Sequence, residues 1–328
     1  MRIPGSFLLL AFTMILFLKG FPSAASEGGT KDSALALYQK IQKSDSNEVR
    51  DSLGRLFDRQ MRSLLEQKNA FKSSFPKLGE QIGILYAPDR SFRLFNWNIA
   101  YTNGTHAYFA YILRKRENGD PELIELEPMR GPSDRNKKSG GGMRKRELER
   151  KDLQAGEWLP ALYYRIIRKE RNGKAFYTLL GWEGKDQLTT RKLIEVLRFD
   201  EKGRPKFGLP VFKKAEKEQE RESWREKERK RRRRTTRAGR KKERPKERII
   251  FEYTDDAVMS LRYEKEKDRI VFNQLVPERP DLEGMYEFYG PDLLFNAYAW
   301  EAKYWVFKKK VKPENQRSRT QKWNDPEE

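Results

Sequence analysis

From residue 82 onward the chain is written in short β-branched and aromatic runs separated by turn residues, and this pattern most narrows the folds open to it. Segments 82–89, 91–99 and 106–115 read as three successive strands. In the run FRLFNWN, alternation places Phe92, Leu94 and Asn96 on one side and Arg93, Phe95 and Trp97 on the other. Asn172-Gly173 between two apolar runs predicts a tight β-hairpin. Segment 193–212 gives a strand, a polar turn and an irregular strand containing proline. Segments 248–254, 257–277 and 293–311 supply at least four more. The expectation is a mainly β domain over 77–312, about ten antiparallel strands in one meandering sheet or a barrel-like closure.

The region before that domain follows a different period. Leu35, Tyr38 and Ile41, then Val49, Leu53, Leu56, Phe57, Met61, Leu64 and Leu65, recur at helical spacing. Two helices separated near 44–47 fit region 26–76, with Ser46 as the cap of the second and Phe75-Pro76 closing the region.

Ahead of the helices, Arg2, an apolar run over 7–18, Pro22 and the small residues Ser23, Ala24 and Ala25 have the charged, apolar, small order of a secretory signal peptide, with cleavage expected after Ala25. A membrane anchor is the rival reading. A run that ends at Lys19 is short for a bilayer, which needs roughly 20 apolar residues. The chain has no cysteine, which excludes a lipid-bearing thiol, disulfides, thiolate metal sites and a cysteine nucleophile. The expected product is exported, periplasmic or extracellular, with no integral membrane span after cleavage.

Seven Trp, nineteen Phe and fourteen Tyr supply area for a real core, yet 36% of residues are charged and the formal net charge is +21. About half of that surplus lies in 213–248, where 19 basic and 8 acidic residues give a net +11. Its first half carries Glu and Lys or Arg three or four apart, as a solvated helix would. A smaller basic loop over 130–151 contains Pro132 and the triple glycine 140–142, which oppose regular structure. Both are expected to be exposed insertions, and residues 313–328 a polar tail. The plain reading is solubilising loops. The sharper one is an arm for polyanions (nucleic acid, acidic polysaccharide or membrane phosphates), with Arg231, Arg232, Arg233, Arg234, Arg240, Lys241 and Lys242 as contacts. The same arginine run resembles a nuclear localisation signal, which conflicts with an export signal.

Candidate chemistry is thin. The lone histidine, His106, opens an aromatic strand and could act as a base, but it has no second imidazole and no serine partner. Asp89, Glu183 and Asp292 stand near turns and could hydrolyse polymers only if two of them met across a cleft. Shaping turns is the plainer role of Asp89 and Asp292, which both follow proline. Trp97, Trp182 and Trp300 recur at strand ends and could form an aromatic binding face, or fill a β core. No phosphate loop, dinucleotide fingerprint, nucleophile elbow or metalloprotease motif occurs, and no cofactor or metal is implied.

The phrases SFRLFNWNIAYTNGTHAYFAYI, FYTLLGWEGKDQLTTRKLIEVLRF, FGLPVF, RIIFEYTDDAVMSLRYEKEKDRIVFNQLVP and YGPDLLFNAYAWEAKYWVF, in that order over roughly 82–310, resemble a family of uncharacterised exported proteins of Bacteroidetes-type bacteria. The resemblance implies a periplasmic or surface-associated β protein and brings no activity with it. Family members look shorter where this chain has 213–248. Three functions remain open: a noncatalytic binding or structural role in the cell envelope, hydrolysis of polymers by carboxylates, or polyanion binding through the basic insertion.

Overall fold

In the computed structural model of the chain, residues 26–116, 118–129, 145–214 and 244–314 are described. The signal segment, the triple glycine, the heart of the basic insertion with its seven named cations, and most of the polar tail lie outside them. Among the described residues the architecture is mainly β with helices at the N-terminal side, as the patterning requires.

Helices α1 (Ser26–Lys43) and α2 (Asn47–Leu65) form the first layer. The Ser46 hydroxyl caps α2 by accepting from the backbone N–H of Val49 at 3.3 Å. Phe57, Met61, Leu64 and Leu65 of α2, with Tyr38 and Ile41 of α1, pack on one face of an antiparallel sheet. That sheet runs in the order β1 (Gly83–Tyr86), β2 (Phe92–Ala100), β3 (His106–Lys115) and β4 (Pro121–Leu126). Phe95 and Trp97 meet the helices, whereas Phe92 and Leu94 face away from them, so the alternation in FRLFNWN is realised.

The opposite face of the sheet covers a second, central sheet. It contains β5 (Leu153–Gln154), β6 (Leu162–Arg171), β7 (Lys174–Gly184), β8 (Thr189–Phe199), β9 (Pro205–Phe207) and β11 (Ile249–Thr254). β11 pairs with the first half of β8 and β9 with its end, so two short strands complete one long edge. Asn172 and Gly173, at φ 53° and 74°, close the β6–β7 hairpin foreseen at this dipeptide.

Beyond the central sheet lies a third: β10 (Phe212–Lys213), β15 (Tyr304–Lys308), β14 (Tyr289–Glu301), β13 (Arg269–Pro277) and β12 (Leu261–Glu264). Its pairings are antiparallel except for the parallel contact of β10 with β15. Leu180, Ile194 and Val196 of the central sheet pack against Ile270, Phe272 and Trp305 of the third. Four layers therefore stack as helices, sheet, sheet, sheet, with a separate apolar core at each of the three interfaces. Among the described residues the expected mainly β, antiparallel architecture takes the form of fifteen strands in three open sheets, with no closed barrel. The physical reason is visible in β6 to β8, whose residues of both parities are apolar: such strands need cover on both faces.

The basic segments are less detached than their composition suggests. Residues 145–148 of the first form the short helix α3 (Lys145–Leu148), and Leu148 and Glu149 are buried. In the second, Arg248 is fully buried and pairs with the equally buried Glu195 at 2.6 Å. Its guanidinium also donates to the carbonyls of Leu148, Lys151 and Phe207. The expectation of exposure therefore fails at both C-terminal ends, because a carboxylate facing an interlayer core draws a cation out of the charge run.

Candidate functional site

Two places concentrate chemistry, one near each end of the central sheet. The first gathers His106 and Tyr108 of β3, Trp182 and Glu183 of β7, Arg191 of β8 and Glu252 of β11. Asn98 donates through its amide nitrogen to His106 Nδ1 at 2.7 Å, which leaves the ring proton on Nε2. Desolvation holds the imidazole below its ordinary pKa against the pull of Asp255, so the ring is neutral at pH 7. It lies edge-on to Trp182 at 5.5 Å. Arg191 joins two carboxylates, reaching Glu252 at 2.8 Å and Glu183 at 3.5 Å. Burial raises the Glu183 carboxyl, with Arg191 opposing the shift, and its Oε2 has no hydrogen-bond partner. Lys185 reaches Glu252 at 2.7 Å.

Such a pair of carboxylates could divide acid and base roles. The arrangement argues against that use here. Glu183 and Glu252 are both buried, and the guanidinium that a substrate would have to displace is already hydrogen-bonded to Glu252 and ion-paired with Glu183. Glu183, Arg191 and Glu252 line none of the three cavities described. One of them, about 410 Å³, touches His106 but reaches neither glutamate. No group of three potential metal ligands occurs among the described residues. Asp89 lies elsewhere, held by Ser91, Tyr177 and Arg168. Asp292 stands in the third sheet, bonded to Gln274 and to the Leu294 N–H. Of the four candidate catalytic residues, His106 and Glu183 therefore share one place, and Asp89 and Asp292 lie away from it.

The tryptophans are dispersed as well. Trp97 is buried between helices and first sheet, stacked on Phe109 at 5.5 Å. Trp182 spans the edges of the two deeper cores, and Trp300 packs on Trp305 and Phe176 in the third sheet. They share no face: each fills an interlayer space.

The second place is a groove of about 910 Å³. It runs between the β6–β7 hairpin turn and the β8–β9 turn, and six cations line it: Arg171, Lys174, Arg198, Lys202, Arg204 and Lys206. Only two carboxylates face them, Asp200 and Glu201, and both belong to the β8–β9 turn. Asp200 is occupied in shaping that turn. It accepts from the backbone N–H groups of Arg204 and Lys202 and from the Arg204 side chain, and the backbone bond from Arg204 leads in holding its carboxyl below the usual range. Glu201 approaches Lys174 at 3.9 Å with both side chains almost fully exposed, a weak pairing. Arg198 is anchored to Asp152 and to the Gly208 carbonyl. Lys202 and Lys206 have no ion pair among the described residues.

The sequence pointed to the hairpin turn but not to the groove, whose cations are divided between two separate turns, two at the first and four at the second. The available signal was local: Arg171 and Lys174 flank Asn172-Gly173, and Lys202, Arg204 and Lys206 alternate along the second turn. Only the β7–β8 pairing, which sets the two hairpins side by side in the central sheet, adds them into one field.

Comparison with protein-family models, with curated proteins and with solved structures found no match for the chain.

Proposed function

We propose that the protein is a noncatalytic binding protein, exported to the cell envelope, whose ligand is anionic and lodges in the basic groove of the central sheet. The observation that carries this reading is the composition of that groove: six cations against two carboxylates, around a floor that includes Phe176, Phe199 and Leu209. Clefts lined by one sign of charge above low-dielectric walls concentrate counter-ions of the opposite sign. The N-terminal segment over 1–25, with its signal-like order, supports the exported location and the resemblance to exported envelope proteins supports the compartment. No described helix is long and apolar enough to cross a membrane.

The direct test is titration of the full chain with inorganic tripolyphosphate, a compact polyanion, at low and at physiological salt. Saturable binding that weakens as salt rises is expected, with about a tenfold loss in Lys202→Ala/Lys206→Ala. Equal affinity in that variant would remove the groove as the site. The location is tested separately by cell fractionation and mass spectrometry of the mature N-terminus: a product beginning near Ser26 in the periplasm or medium is expected, and an intact cytoplasmic chain would refute export.

A further inference from the structure

We infer that the groove is one end of a longer track and that its natural ligand is an extended acidic polysaccharide, bound through its sulfate or uronate groups. The inference rests on the proposed anionic ligand and adds its class and length.

The continuity is built around Tyr304, at the start of β15. Arg171, which lines the groove, donates to the Tyr304 hydroxyl at 2.7 Å and lies 4.4 Å from the ring centroid. Lys213 of β10 places its ammonium 3.4 Å from the same centroid. Lys213 in turn lines a second cavity with Lys214, Arg244 and Lys246. One tyrosine ring therefore holds the last cation of the groove beside the first cation of the next basic cluster. The second cavity, about 110 Å³, is too small to hold a compact polyanion by itself. It suits one charged group of a chain that continues from the groove.

The aromatic rings decide between polymers. Sequence-tolerant binding of single-stranded nucleic acid uses open ring faces on which bases stack. Along this track Phe176, Phe212 and Tyr298 are buried, Phe307 packs on Tyr298 at 5.5 Å, the Arg114 guanidinium lies 5.6 Å from the Phe199 centroid, and Arg171 and Lys213 crowd Tyr304. What remains exposed is ammonium and guanidinium, which read charge and not bases. A sugar polymer bearing periodic anions meets that surface with its substituents alone.

The test uses the full chain with heparin oligosaccharides of increasing length, and oligo(dT) as the nucleic-acid comparator. Affinity should rise about tenfold from tetrasaccharide to dodecasaccharide, as added contacts become intramolecular. Lys214→Ala/Arg244→Ala, at the outer cavity, should lower dodecasaccharide affinity by about fivefold while leaving the tetrasaccharide unchanged. Arg244 is exposed and Lys214 half-buried, and an unchanged melting temperature would show that the fold is intact. Length-independent affinity, or an outer-cavity variant that binds the long ligand normally, would overturn the track while leaving the groove reading in place. Tighter binding of oligo(dT) than of the dodecasaccharide would overturn the choice of polymer. No binding of tetrasaccharide, dodecasaccharide or tripolyphosphate would remove both the track and the groove reading.

Discussion

Individual residues show how this protein tolerates charge in its interior. Glu195 and Arg248 are both fully buried, and Arg248 additionally satisfies three backbone carbonyls from two segments. Removing one partner of such a pair strands the other, at a cost of about 3–5 kcal/mol. Arg248→Met is therefore expected to lower unfolding free energy by that order in urea titrations. Adding Glu195→Leu should recover only part of the loss, because the three carbonyls stay unpaired; full recovery would mean that the ion pair alone carries the arginine's role. His106 makes the opposite case, a titratable group kept neutral. Its folded pKa is lowered, so between that value and its ordinary 6.5 the unfolded chain binds more protons. The imidazole's contribution is complete above 6.5 and is lost as pH falls through the folded pKa. His106→Gln should then show a shallower drop in melting temperature between pH 7 and pH 5 than the parent chain. An identical drop would show that the ring's burial does not matter to acid stability.

At the scale of elements, the β6 bulge shows how two sheets are joined. The register slips between Tyr163 and Arg165, which face the consecutive residues Gly181 and Leu180 of β7. Asn96 of β2 bonds there: it accepts from the Tyr163 N–H at 2.7 Å and donates to the Tyr163 and Gly83 carbonyls at 3.3 Å. A polar residue on the inner face of FRLFNWN is thus the hydrogen-bonded link between layers, and sequence alternation placed it there without revealing its task. On the other face, Gly54 of α2 lets the helix approach β2 so closely that an added Cβ would collide with the Ile99 Cδ1 methyl. Gly54→Ala should cost about 1–3 kcal/mol despite the better helix former, as overpacking does. Ile99→Val removes the colliding methyl, so the double variant should be less destabilised than the sum of the two singles in thermal melts. Strict additivity would place the strain elsewhere.

On the scale of the whole molecule, the basic excursion after β10 is closed at its root. Phe212 and Lys246 exchange backbone hydrogen bonds at 3.2 and 2.8 Å, which brings the described residues on either side of 215–243 together. Replacing 215–243 by a short Gly-Ser linker should shift the melting temperature by no more than about 3 °C, because loop-closure entropy changes slowly with length. A large drop would show that the excursion packs on the layers.

The sequence by itself determined the helical pair and its Ser46 cap, the strand grammar, the Asn172-Gly173 hairpin and the two faces of β2. These are local matters, set by periodicities of 3.6 and 2 and by residues that accept positive φ. Tertiary structure decided that the strands form three stacked sheets and not one. It also decided that Arg248 leaves the charge run for the core, that Trp97, Trp182 and Trp300 serve different interfaces, and that cations from two separate turns share a groove. Each of these depends on which faces meet across a layer, and no contact between residues distant in the chain is written in the spacing of neighbours.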